Sequence, residues 1–381
     1  MKVTTLFLLI ITLISCNSKS NKYDELILGD WIEVLEKVQT QRNENGIKLP
    51  PKLNRNTVLG YSFAKKGIVE NKLGYFDRSR KDKDGRTKTK FLGTTTKYKI
   101  ENDSLKTYNL IDKKWFNAKI LKLTKDTLIL EYKDKSKDKF IRKKYKTDNI
   151  KSFDKIIIST SGCYGFCPVR DIIISKSGEI FYYGKMYVDK KGFFKSKIST
   201  KDFLKIENDF KKANYMNLKD EYIASHTDDM TITVTFVKND QILKTITDYG
   251  NESPTELKWA VLPTLFLDQQ IKLEQINNSK VYMDFGYCNF IDGNQLIELT
   301  KSECFYLKIL LLSCREVKKD FKSKYIIHYW ENETEKKMKT DGQYFKFEIE
   351  KGKFIILDLG YNFLDKNNLL KRIRKKNEYD F

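Results

Sequence analysis

Cys163 and Cys167 stand within Ser161-Gly162-Cys163-Tyr164-Gly165-Phe166-Cys167-Pro168, the sharpest chemical constellation in the chain. Two thiols at this spacing can close a disulfide, hold a soft metal ion or exchange electrons. Gly162 and Gly165 permit positive φ, which a continuous helix would not want. The motif therefore reads as a loop between a strand at 155–159 and an apolar run at 169–175. A bridge across so small a loop is worth only about 2 kcal/mol in the chain-entropy account. Its value would lie in pinning the loop, and a structural disulfide between Cys163 and Cys167 is the expected role. The rival is a copper-handling or thiol-redox site on the same two residues. Cu(I) favours soft thiolate ligands, and only His226 and His328 could supply a third ligand from imidazole. Thioredoxin-type exchange uses C-x-x-C, one residue shorter.

The remaining reactive side chains form weaker patterns. His226 lies beside Asp228 and Asp229, a combination suited to acid–base work or a metal corner. Its polar neighbours predict a solvated loop ahead of a strand starting at Met230. His328, inside Ile326-Ile327-His328-Tyr329-Trp330, reads as an ordinary strand residue. No G-x-S-x-G elbow or H-E-x-x-H helix occurs, and Gly286 and Gly293 do not make a phosphate loop. No catalytic residue, metal ligand or cofactor is assigned. A helix running from Ser302 to Cys314 would hold Cys304 and Cys314 about 15 Å apart, beyond disulfide reach. Cys288 could bridge one of them at most, or all three could be buried apolar thiols.

The first residues give these thiols a compartment. Lys2 is a short positive n-region, Leu6 to Ile14 a compact apolar run, and Leu13-Ile14-Ser15-Cys16 closes it. The run is well short of the roughly 20 residues a spanning helix needs. The stretch resembles a bacterial lipoprotein signal with an L-x-S-C lipobox. That resemblance implies a signal peptide over 1–16, acylation of Cys16 and a tether over 17–23, so the membrane is a partner through the lipid. Asn17 is not the Asp that retains enterobacterial lipoproteins in the inner membrane, which favours the outer membrane. No acidic cluster follows Cys16, which favours the periplasmic face. Export permits disulfides.

The chain has 381 residues, a formal charge of +21, 40% hydrophobic residues and only five prolines. The cations are mostly lysines spread among acids, as in Lys133-Asp134-Lys135. Nucleic-acid binders cluster arginine among exposed aromatics instead, and export argues further against that partner. The densest basic runs, 78–90, 133–146 and 371–376, read as solvated strand faces and hairpin tips. Each cation near anionic lipid headgroups is worth up to about 1 kcal/mol.

Three segments follow the tether. Residues 24–150 show short alternating runs separated by turns at Asn102-Asp103 and Lys125-Asp126, the pattern of a closing β-meander. Gly29-x-Trp31, Lys97-Tyr98-x-Ile100, Asp103-Ser104-Leu105 and Ile120-x-x-Leu123-x-x-Asp126-Thr127-Leu128 resemble the lipocalin-like domains of Bacteroidota-type bacteria. The resemblance implies a barrel with Trp31 plugging its base, and a cavity that either holds a small apolar ligand or is filled by side chains. An insert at 39–55 departs from a minimal meander.

Residues 151–279 carry the cysteine motif, a helix at 200–213 capped by Ser199 or Thr200, alternating strands around Asn239-Asp240, and a second helix capped by Ser253 with Pro254 in its first turn. The motif, the Gly178 turn, Tyr182-Tyr183-Gly184 and the Tyr222…Asp228 region resemble an uncharacterised family marked by C-[FY]-G-x-C-P, which implies fold and no activity. Sco-type copper chaperones share C-x-x-x-C-P but follow it with a helix. Here β-branched Val169, Ile172, Ile173 and Ile174 predict a strand. Residues 280–381 read as a small α+β domain with strands at 280–285, 324–330, 343–349 and 353–359, a buried helix at 302–313 and a basic C-terminal helix at 367–376. The fold class expected is strand-rich α+β: a lipocalin-like barrel, a central domain with an antiparallel sheet and two helices, and a C-terminal α+β domain. The function expected is non-enzymatic binding of a ligand or an envelope protein.

Overall fold

The computed structural model describes residues 22–35, 58–276, 288–331 and 334–377. Cys16, the 39–55 insert and the strand expected at 280–285 lie outside them. Two compact units emerge: one from the described parts of 22–35, 60–70 and 95–143, the other from 58–59, 71–94 and 144–377.

The first unit is a closed barrel of β1 (Gly29–Glu33), β2 (Gly60–Ala64), β3 (Ile68–Lys81), β4 (Thr87–Glu101), β5 (Ser104–Asn109), β6 (Lys114–Leu123), β7 (Thr127–Glu131) and β8 (Lys137–Arg142). Neighbours in sequence pair, and β1 closes on β8 antiparallel. Alternation aims one face of each strand inward: Leu128 and Leu130 of β7 are buried beside Leu105, Phe63 and Phe140. Asn102 and Asp103 take φ 49° and 57°, the left-handed pair that a two-residue hairpin demands.

Trp31 is fully buried and donates from Nε1 to the Ile27 carbonyl at 2.7 Å. The Arg142 guanidinium lies 4.3 Å over its ring and donates to the carbonyls of Leu26, Leu28 and Lys125. Gly29 explains the Gly-x-Trp spacing. At φ 109°, a Cβ there would stand 2.7 Å from Arg142 Nη1. Strands β3 and β4 are far longer than the short runs expected over 24–150, because the basic run 78–90 is the arm of a long hairpin whose Asn71–Thr94 part belongs to the second unit.

In the second unit, the central sheet is built from β9 (Lys155–Thr160), β10 (Val169–Ser175), β11 (Glu179–Met186), β12 (Gly192–Lys197), β13 (Glu221–Ile223), β14 (Thr231–Lys238), β15 (Gln241–Tyr249) and β16 (Glu274–Gln275), in the order β13-β15-β14-β9-β10-β11-β12-β16. Strands β9 and β10 are buried almost end to end because both faces of the sheet are covered. Ile156, Ile158, Ile172 and Ile174 pack against α1 (Thr200–Lys212) and α2 (Thr255–Leu265). Ile157 and Ile173 share a core with α3 (Lys301–Leu312) on the other face.

A second sheet carries β17 (Cys288–Asp292), β18 (Gln295–Leu299), β19 (Arg315–Glu316), β20 (Tyr325–Glu331), β21 (Thr334–Thr340), β22 (Tyr344–Glu350), β23 (Lys353–Asp358) and β24 (Arg374–Lys375). Its side chains join the α3 core. Helix α3 is apolar almost all round, so it is buried between layers, as its sequence implies.

The observed class is strand-rich α+β with an eight-stranded antiparallel barrel first, as expected. Helix α1 starts at a Ser199–Asp202 capping box. Helix α2 differs in detail: Pro254 is its N-cap, and the Ser253 hydroxyl donates to Asp248 instead. The basic C-terminal helix does not form. A short α4 (Phe363–Lys366) ends where Asn368 takes φ 53°, and one 3-10 turn, Leu370–Arg372, leads into β24. Burial of Leu369 and pairing of β24 with β18 outweigh the helical pattern.

Candidate functional site

On its α3 face the central sheet carries a polar row where apolar residues would be ordinary. Glu221, Thr247, Thr233, Ser159, Asp171 and Tyr183 lie side by side across β13, β15, β14, β9, β10 and β11. The first turn of α3 is seated on this row. The Ser302 amide donates to Thr233 Oγ1 at 3.0 Å, and Ser302 Oγ meets Thr235 Oγ1 at 2.7 Å. Lys301 pairs with Asp171. Thr245 Oγ1 donates to Glu303 at 2.6 Å, and Glu303 also accepts from the Thr300 amide. Arg372 grips the same carboxylate with two bonds, at 2.7 and 3.0 Å. Glu303 is fully buried, so these donors replace its water.

Beside this contact opens a cleft of about 820 Å³. Hydroxyls of Ser161, Thr231 and Thr247 line it, with Lys185, Lys301 and Lys371 among its cations. Lys244 and Arg374, also in the lining, are tied to Asp220 and Glu298. Such a lining offers hydroxyl, ammonium and carboxylate contacts to a polar ligand.

The cysteine motif sits at one end of the cleft, where Ser161 and Gly162 line it. Cys163 and Cys167 are disulfide-bonded, with Cα atoms 5.7 Å apart. Gly165 takes φ 156°, and Gly162 does not take a positive value. Strand β10 follows at once, as the β-branched residues require. The Tyr164 amide donates to the Asp228 carbonyl at 3.0 Å, which brings the 226–229 loop against the motif. His226 Nε2 is 3.2 Å from Asp229 Oδ2, and both side chains are exposed. His328 is elsewhere, bonded to Glu335 across β20 and β21. Among the described residues, no three His, Cys, Asp or Glu side chains stand close enough to hold a metal ion.

Cys288, Cys304 and Cys314 carry unbridged thiols. The Cys288 amide donates to Cys304 Sγ at 3.1 Å, and burial pushes the Cys304 thiol well above its ordinary range.

Two arrangements escape a reading by sequence. The polar row is one, although the alternation of Thr231, Thr233 and Thr235 with apolar Ile232, Val234 and Phe236 marks it. The other is buried Arg170, which donates to Asp268 at 2.8 Å and to the Leu265 carbonyl at 3.2 Å, with its guanidinium 4.7 Å over Phe266. Their partners lie too far along the chain for spacing to reveal.

Residues 154–265 match the model of a domain of unknown function, DUF6438, which spans the disulfide loop and the polar row from β9 to β15. A crystal structure of a lipocalin-like protein from Bacteroides uniformis is 17% identical, with a TM-score of 0.17, covering 31% of this chain and 99% of that one. No curated protein matches the chain.

Proposed function

We propose that this chain is an exported, lipid-anchored envelope protein that binds a small polar ligand in the cleft over the Glu221–Tyr183 row. The address comes from the lipobox ending at Cys16. The binding role rests on one observation: an open cleft of about 820 Å³ lined by hydroxyl and charged side chains together with apolar ones such as Val169, Met186 and Leu243. That volume is ordinary for a small-molecule site.

Native mass spectrometry of the purified chain and of Thr247→Trp, which fills the cleft, tests the binding role. A retained small molecule lost in the variant is the expected result; one retained equally by both overturns the cleft as its site. Membrane fractionation of full-length chain and Cys16→Ser tests the address, and an unchanged membrane share in the variant overturns lipid anchoring. Copper handling through Cys163 and Cys167 predicts thiols that titrate with Cu(I). We expect an intact bridge and no uptake.

A further inference from the structure

The disulfide loop places large aromatic side chains in water, where soluble proteins rarely hold them together without a purpose. Tyr164 is 90% exposed and Phe166 59%. Tyr187 and Met186 beside them are also exposed, and the Phe166 and Tyr187 rings meet at 5.3 Å. This is a fixed arrangement. The Cys163–Cys167 bridge and the Tyr164 amide bond to Asp228 pin the loop. Tyr187 holds φ 54°, a left-handed conformation a bulky residue adopts only when its surroundings impose it.

Cations frame the rings. The Arg86 guanidinium, at the tip of the β3–β4 hairpin, lies 4.6 Å over Phe166, and Lys88 reaches Asp189 at 3.2 Å. The hairpin adds Arg78, Arg80, Lys81, Lys83 and Lys90 against Asp77, Asp82 and Asp84.

We propose that this loop and hairpin tip form a contact surface for a bilayer carrying anionic lipid headgroups. Tyr164 and Tyr187, rings with an apolar body and a polar tip, suit the headgroup level; Phe166 adds apolar surface to bury, and surrounding cations add attraction to anionic lipid. Four lysines and three arginines against three aspartates leave the 77–90 hairpin at +4, the sign that anionic headgroups attract. The inference rests on the anchored reading only for its location: the lipid on Cys16 would hold the chain near the bilayer, and the loop would set which face it presents.

The test is co-sedimentation of the chain from Asn17 onward, which lacks Cys16 and so reports the loop apart from the anchor. Vesicles would be phosphatidylcholine alone, or phosphatidylcholine with about a third phosphatidylglycerol. We expect salt-sensitive binding to the anionic vesicles and at least about a tenfold loss in Tyr164→Ala/Phe166→Ala, since burying aromatic surface drives insertion. Phe354→Ala, which removes an exposed ring on β23, should bind as the parent does. Equal binding by parent and double variant overturns the proposal, as does no binding to either vesicle. Loss of binding in Arg86→Glu/Lys88→Glu with none in the aromatic variant also overturns it, leaving diffuse charge alone. If the double variant instead loses an envelope protein partner while vesicles are ignored, the surface is a protein interface. An intact circular-dichroism spectrum certifies each variant, and failure of the anchor would appear only in the Cys16→Ser fractionation.

Discussion

At the scale of single residues, the second unit buries one polar group by meeting its bonds and another by keeping it neutral. Glu303 is the first kind, a carboxylate with no exposure whose lone pairs are taken by Thr245, the Thr300 amide and Arg372. Cys304 is the second. Burial raises its thiol above the ordinary 9.0, so the folded chain keeps that proton where an unfolded chain releases it. A group whose folded value is raised adds stability that is fully present below the unfolded value and lost as pH climbs past it. Stability should therefore fall as pH rises through about 9, by up to roughly 1.4 kcal/mol per pH unit for this one proton. Urea midpoints of the parent and Cys304→Ala between neutral and alkaline pH, in reductant-free buffer, give the contribution by difference. Identical slopes would show that Cys304 ionises as readily in the fold as out of it.

At the scale of elements, the long β3–β4 hairpin shows where pattern reading stops. A barrel strand that alternates cleanly, such as Thr127–Glu131, is legible because one face meets a core and the other does not. The 78–90 run is not, because its charged faces hide strand character and what fixes it lies far along the chain. The Phe91 amide donates to Gln269 at 2.7 Å, and Gln270 donates to the Phe91 carbonyl at 2.8 Å. Phe76 meets Phe266 edge-on at 5.2 Å and Phe91 meets it tilted at 5.4 Å, and Phe266 in turn carries Arg170. The motif loop was legible in part: Gly and Cys foretold a pinned turn between strands, whereas the polar row needed the register of six strands. The C-terminal helix was misleading because basic helical spacing said nothing of β18, whose edge claims Arg374 and Lys375. Phe266→Ala should release the hairpin arm, at a cost of about 2–3 kcal/mol for a half-buried ring. Limited trypsin digestion should then cut between Lys81 and Lys88 well before the rest of the chain. Unchanged resistance there would mean the Gln269 and Gln270 bonds hold the arm without the rings.

At the scale of the whole molecule, two compact units with separate cores imply two cooperative transitions, since a single two-state unfolding describes one core. The barrel core centres on Trp31 and its Arg142 lid; the second unit centres on the faces of the central sheet and on the Glu303 contact. Removing a buried tryptophan costs about 3–5 kcal/mol, so Trp31→Ala should lower the barrel transition. Arg372→Ala leaves Glu303 buried without its cation, which costs about 3 kcal/mol after allowance for partial solvent access to the arginine. It should lower the other transition. Scanning calorimetry of the parent, both variants and the double variant decides the matter. Each variant moving its own peak, and the double variant moving both by the sum, is the outcome two independent cores require. The complication is that β3 and β4 contribute to both units. If those strands transmit unfolding, Trp31→Ala will drag both peaks down together, and the chain will melt as one body despite its two cores.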